Sequence, residues 1–114
     1  MDKVKLLIGM KENLNGRTQG TLRPVEFEGE KLGGRSLLDD VHGSRGIKET
    51  LYRTADGQML VYLEDWSHWQ GEASTYSLHR IAEEDLDVGG PFEGLGRACG
   101  LSRPLTLEEA LDQA

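Results

Sequence analysis

The stretch that decides the fold is Thr50-Leu51-Tyr52-Arg53-Thr54-Ala55-Asp56-Gly57-Gln58-Met59-Leu60-Val61-Tyr62-Leu63. Two runs of strand-forming residues flank Asp56-Gly57, a dipeptide that supplies the two positive-φ positions of a type I′ hairpin turn. With Asp56 and Gly57 as the loop, Thr54 is expected to pair with Met59, Tyr52 with Val61 and Thr50 with Leu63. Leu51 and Tyr62 then fall on the other face. The second strand is apolar on both sides, which marks it as central in its sheet. The same register sets Glu49 against Glu64, a like-charge pair that frays the far end of the hairpin.

Outward from the hairpin, Val4, Leu6, Ile8 and Met10 alternate with polar residues or glycine and predict a first strand. Asn15-Gly16, within Asn13 to Gly20, predicts a reversal. Val25 and Phe27 alternating with Glu26 and Glu28 predict a second strand, with Pro24 placing its start at an edge or just outside the sheet. Five glycines between Gly29 and Gly46 predict a mobile loop. Thr75 to Ile81 predicts a fourth strand, with Tyr76 and Leu78 on one face and His79 and Ile81 on the other. After Gly89-Gly90-Pro91 the period becomes helical: Phe92, Leu95, Gly96 and Cys99 predict one short helix. Thr106 with Glu109 forms a capping box for a second, striped by Leu107, Ala110 and Leu111. The expected fold is therefore α+β: one domain over residues 1–114, with a four- or five-stranded, mainly antiparallel meander and one or two short C-terminal helices.

Composition restricts function. The 114 residues are 37% apolar and 29% charged, enough core former for one domain under a polar surface. The net charge of -7 divides unevenly: residues 1–53 carry +2, residues 54–81 carry -3 and residues 82–114 carry -6. That balance opposes direct nucleic-acid binding. No apolar run reaches the roughly 20 residues of a membrane span, and Val4 to Ile8 is too short for a signal-peptide core. Cys99, the only cysteine, allows neither an internal disulfide nor a cysteine-based zinc site. A cytoplasmic protein is expected, without membrane contact.

The hairpin segment Glu49 to Gly57 with the apolar strand after it resembles the strand-turn-strand segment of many small bacterial proteins of unknown function. The resemblance implies no activity, cofactor or site.

Candidate chemistry is sparse. Gly29-Glu30-Lys31-Leu32-Gly33-Gly34-Arg35-Ser36 approaches a phosphate-cradling loop, but Arg35 stands where that loop needs lysine and no parallel sheet is predicted. His42, His68 and His79, with Asp39, Asp40 or Asp65, suit a small metal-dependent enzyme only if they converge, and their spacing matches no ligand signature. Cys99 lies at an apolar helix position with no base assigned to it. No catalytic residue, metal site or cofactor is therefore assigned. Both tryptophans fall in the connection leaving the central strand, where Trp66 and Trp69 either cap the core or anchor an interface. His68 between them adds pH sensitivity. The leading expectation is a non-catalytic binding or regulatory module acting through protein-protein contacts, with Trp66, His68, Trp69, Tyr52 and Tyr62 as interface candidates. Its partner is another protein or a second copy of itself, as a homodimer. The alternative is an acidic inhibitor that imitates nucleic acid toward a basic partner through Glu83, Glu84, Asp85 and Asp87.

Overall fold

A computed structural model describes residues 2–14, 17–38, 45–67, 73–101 and 106–112. Five antiparallel strands follow one another along the chain: β1 (Asp2–Leu14), β2 (Arg17–Leu38), β3 (Arg45–Thr54), β4 (Met59–Ser67) and β5 (Ala73–Ile81). Each pairs with the next, as a meander should. The sheet is not open, however, because β1 also pairs with β5 and closes the order β1-β2-β3-β4-β5 into a barrel. A 3-10 turn, Glu83–Leu86, and two short helices, α1 (Glu93–Ala98) and α2 (Leu107–Asp112), come after the strands. No helix among the described residues is long and apolar enough to cross a membrane.

The central hairpin forms in a different register from the one expected. Thr54 N–H donates to the Gln58 carbonyl at 2.8 Å and Gly57 N–H to the Thr54 carbonyl at 3.0 Å, so the loop is Ala55-Asp56-Gly57. Gly57 has positive φ, at 87°, as a three-residue loop that ends in a left-handed residue requires. The Thr54 hydroxyl donates to Asp56 and accepts from Gln58 N–H at 2.9 Å. That hydroxyl is the main reason the Asp56 carboxyl sits below its usual range. The extra loop residue moves each pairing by one, so Leu51 opposes Val61, Tyr52 opposes Leu60 and Thr50 opposes Tyr62. It also removes the expected repulsion: Glu64 now faces Lys48, 4.0 Å away, and Glu49 faces Leu63.

This register builds two different faces on β3 and β4. Leu51, Met59 and Val61 lie on one, buried beneath Leu86 and Leu95 and flanked by Leu32, Leu63, Ile81, Phe92 and Cys99. That outer face holds the core. Leu51 and Val61 are fully buried, each contributing about 1.5–3 kcal/mol of apolar transfer. Arg35 and Glu49 pair on the same face, and α1 lies close enough that a side chain at Gly94 would strike the guanidinium. Tyr52, Leu60, Tyr62 and Leu78 occupy the opposite, inner face. The predicted stripe of α2 is not packed in the same way, since Leu107 and Leu111 are exposed; the Glu109 side chain of its capping box lies outside the described residues.

β2 corrects three expectations. Its pairing begins at Arg17, so Pro24 sits inside a 22-residue strand, opposite Leu7 of β1. Proline is tolerated there because β3 joins β2 only from Gly29 onward, leaving that stretch of β2 paired on one side. The expected loop from Gly29 is extended strand as far as Leu38, and the rest of it, 39–44, lies outside the described residues. The near match to a phosphate loop is thus strand, broken by a bulge between Lys31 and Gly33, and offers no cradle of N–H groups. At Gly33, φ 149°, a Cβ would approach Cys99 Sγ to 2.8 Å, so glycine admits α1 against the sheet. Asn15-Gly16, the expected reversal, also lies outside the described residues, between Leu14 and Arg17, which pair with each other.

Gly57→Val is expected to lower stability by about 1–2 kcal/mol, the cost of a left-handed residue, because no atom would meet its Cβ within 4 Å and only the backbone conformation is affected. Gly57→Asn should lose less. Denaturant midpoints of the two variants measure the difference.

Candidate binding site at the barrel seam

The ring closes over a short length only. β1 pairs with β5 from Gly9 opposite Tyr76 to Glu12 opposite Ala73, whereas Asp2–Ile8 pair with β2 and Ser77–Ile81 pair with β4. Gly9, φ 131°, is the first residue of β1 to pair with β5, and a Cβ there would run into the Thr21 carbonyl of β2. Asp2–Ile8 therefore form an edge of β1 paired with β2 alone.

Tyr62 spans the ring at this point. Its hydroxyl, on β4, donates to the Leu7 carbonyl of β1 at 2.5 Å. Pro24, opposite Leu7, has no N–H to offer that carbonyl, so the phenol supplies a bond that the strand ladder does not. Tyr62 also stacks on Tyr76, with ring centroids 6.5 Å apart and planes 19° apart. Burial pushes the Tyr62 phenol up to about 12, helped by the negative charge of Glu64 and by Tyr76. Tyr52, set edge-on to Phe27 at 5.7 Å, is raised in the same direction by burial and then by Glu64.

Beside the two stacked rings lies a cavity of about 340 Å³ lined by Lys5, Leu6, Leu7, Lys11, Leu22, Tyr62, Glu64 and Tyr76. Its volume falls near the lower limit of small-ligand pockets, roughly 300–1,000 Å³. Leucines and tyrosine rings make an apolar floor. The rim carries Lys5, Lys11 and Glu64. Glu64 lies 4.0 Å from Lys48 and Lys5 lies 3.8 Å from Glu26, so Lys11 sets the charge that an entering group meets, and the pocket favours an apolar group that carries negative charge. A second cavity, of about 350 Å³, is bordered by Arg53, Glu83, Glu84 and Asp87 over Met59 and Leu86. Its floor is the hydrophobic core, and Arg53 lies 3.7 Å from Glu30.

Of the interface residues expected from sequence, Tyr52, Tyr62 and Trp66 lie among the described residues. Tyr52 and Tyr62 are buried on the inner face, where they serve the barrel. Trp66 belongs to β4 and not to a loop; it is half-buried, with its ring 2.9 Å from where a Cβ on Gly46 would stand. His68 and Trp69 lie outside the described residues, as do His42, Asp39 and Asp40. His79 is exposed and shares a hydrogen bond with Ser77 Oγ at 2.8 Å, while Asp65 is exposed on β4. Among the described residues, no three His, Cys, Asp or Glu side chains come together as a metal set would require. Burial pushes the Cys99 thiol up, away from reactivity. Of the acidic candidates, Glu83 and Glu84 are exposed, whereas Asp85 accepts from Ala82 N–H at 3.0 Å.

Sequence reading passed over Leu6, Lys11, Leu22, Glu64 and Tyr76 as site residues. Alternation alone places Leu6 on the apolar side of β1, but these residues come from four strands and meet only because the ring closes.

A spectrophotometric titration of the three tyrosines checks the seam. One phenol should ionise near pH 12, and Tyr62→Phe should remove that component. The folded state holds this proton more tightly than the unfolded chain, whose phenol titrates near 10. The resulting stability is complete below about pH 10 and is lost as pH rises toward about 12. Titration of all three tyrosines near 10 would contradict the buried bridge.

Family models, curated proteins and solved structures were each compared with the chain, and none matches it.

Proposed function

We propose that this chain is a non-catalytic binding module that works through protein-protein contacts, and that the seam pocket is where it holds a partner. The observation that carries the reading is one combination in one place: an apolar, aromatic floor, a lysine-bearing rim and a strand edge, Asp2–Ile8, paired on one side only. Strand edges of this kind bind extended segments through main-chain hydrogen bonds, while an adjoining pocket selects a side chain. The charge of the rim favours a partner segment that is acidic as well as apolar. This moves the anchor away from Tyr52 and Tyr62, which the barrel uses internally, to the space they enclose. A cytoplasmic setting agrees with the reading, since the lone Cys99 needs no oxidising compartment.

The dye 8-anilinonaphthalene-1-sulfonate has the required chemistry, an aromatic body with one negative charge. Dilute protein is expected to bind it with enhanced fluorescence. Lys11→Glu should weaken binding by about three- to tenfold, in line with reversing one rim charge, and added salt should weaken it further. Leu22→Glu, which places a carboxylate on the floor, should abolish it. Dye binding unchanged by either substitution would refute the assignment of the pocket.

A further inference from the structure

The last described element, α2, carries exposed apolar surface. Leu107 is 76% exposed and Leu111 is 64% exposed, and their i, i+4 spacing puts both on one side of α2. Glu108 and Asp112 accompany them, and the last turn of the helix has no basic residue. A leucine stripe of this kind without a partner surface marks an interaction element. Its chemistry is acidic and apolar.

The seam pocket is complementary on both counts. Leu6 and Leu22 with the ring of Tyr76 provide the apolar surface, and Lys11 provides positive charge at the rim, where Lys5 is already 3.8 Å from Glu26. The helix of the same chain does not fill it: no described residue of α2 lines the pocket, and both of its leucines stay exposed. Apolar surface is left for another molecule to cover.

Resting on the reading of the seam pocket given above, we infer that the pocket is filled by α2 of a second copy of this chain. Leu107 and Leu111 lie over Leu6 and Leu22, and Glu108 and Asp112 face Lys11. This is the docking of an amphipathic helix into an apolar groove, which uses the pocket and its charge and leaves the main chain of the Asp2–Ile8 edge without a second strand. Reciprocal exchange, each copy giving its helix and receiving the other's, produces a closed two-fold dimer in which every contact occurs twice.

Sedimentation equilibrium of the full chain tests this over a range of concentrations. The wild type should pass from monomer to dimer as concentration rises. The double variant Leu107→Glu, Leu111→Glu should stay monomeric and keep the wild-type thermal midpoint measured on dilute protein, because both leucines are exposed in the single chain. Its pocket, emptied of the helix, should take up more 8-anilinonaphthalene-1-sulfonate than concentrated wild type does. Lys11→Glu should also be monomeric, and mixing it with Glu108→Lys, Asp112→Lys should restore a heterodimer by exchanging the charges. A wild type that is monomeric at every concentration overturns the inference, and so does a dimer that survives the leucine substitutions. If the protein is monomeric yet dye binding still depends on Leu22 and Lys11, the second copy fails and the pocket assignment stands. If dye binding is indifferent to both residues, the two fall together.

Discussion

Everything in this barrel follows from how the chain turns between Thr54 and Gln58. A left-handed glycine at position 57, with the Thr54 hydroxyl holding Asp56 and Gln58, makes the loop three residues long. In a strand pair the side chains alternate, so the loop length determines which residues share a face. The observed choice gathers Leu51, Met59 and Val61 on the side that the 3-10 turn and α1 cover. It also sends Tyr52 and Tyr62 inward. One residue fewer in the loop would have set Tyr52 against Val61 and brought Glu49 opposite Glu64.

The two faces then take on different work. The outer face holds the small hydrophobic core, with the Arg35-Glu49 pair next to it under α1. Removing either partner from a buried pair strands the other charge in poorly solvated surroundings. The inner face is aromatic and incompletely filled, and its tyrosines reach across the ring. The bond from Tyr62 to Leu7 is informative because it joins strands that are not neighbours in the sheet. It fastens β1 to β4 beside the place where the β1-β5 ladder stops. The pocket lies next to that fastening, and its rim charges come from β1 and β4.

Acidic charge in the final third of the chain gains a different meaning in this setting. Read as a string, residues 82–114 suggest a uniform negative face. In the structure Asp85 caps its own turn, and Glu93 binds Arg97 and the Gly89 N–H, which turns part of that charge to local use. Glu108 and Asp112 remain beside two exposed leucines on α2. Charge next to exposed apolar surface selects a partner more sharply than charge alone, since the partner must match both.

The sequence by itself determined the local elements: the alternation of β1 and β5, the turn at Asp56-Gly57, the central position of β4 and the helical period after Gly89. These are set by neighbours within a few residues, and side-chain periodicity reports them directly. The register of the central hairpin is set locally too, by the Thr54 hydroxyl that holds the loop at three residues, a bond that periodicity does not report. Only the tertiary structure decided the conversion of Gly29 to Leu38 into strand and the pairing of β1 with β5 that closes the meander. Each depends on which distant backbone lies alongside, as Thr21 lies beside Gly9 and Cys99 beside Gly33. The pocket was hidden for the same reason. Lys5, Leu22, Glu64 and Tyr76 have no periodic relation along the chain, and they meet because the barrel closes around them.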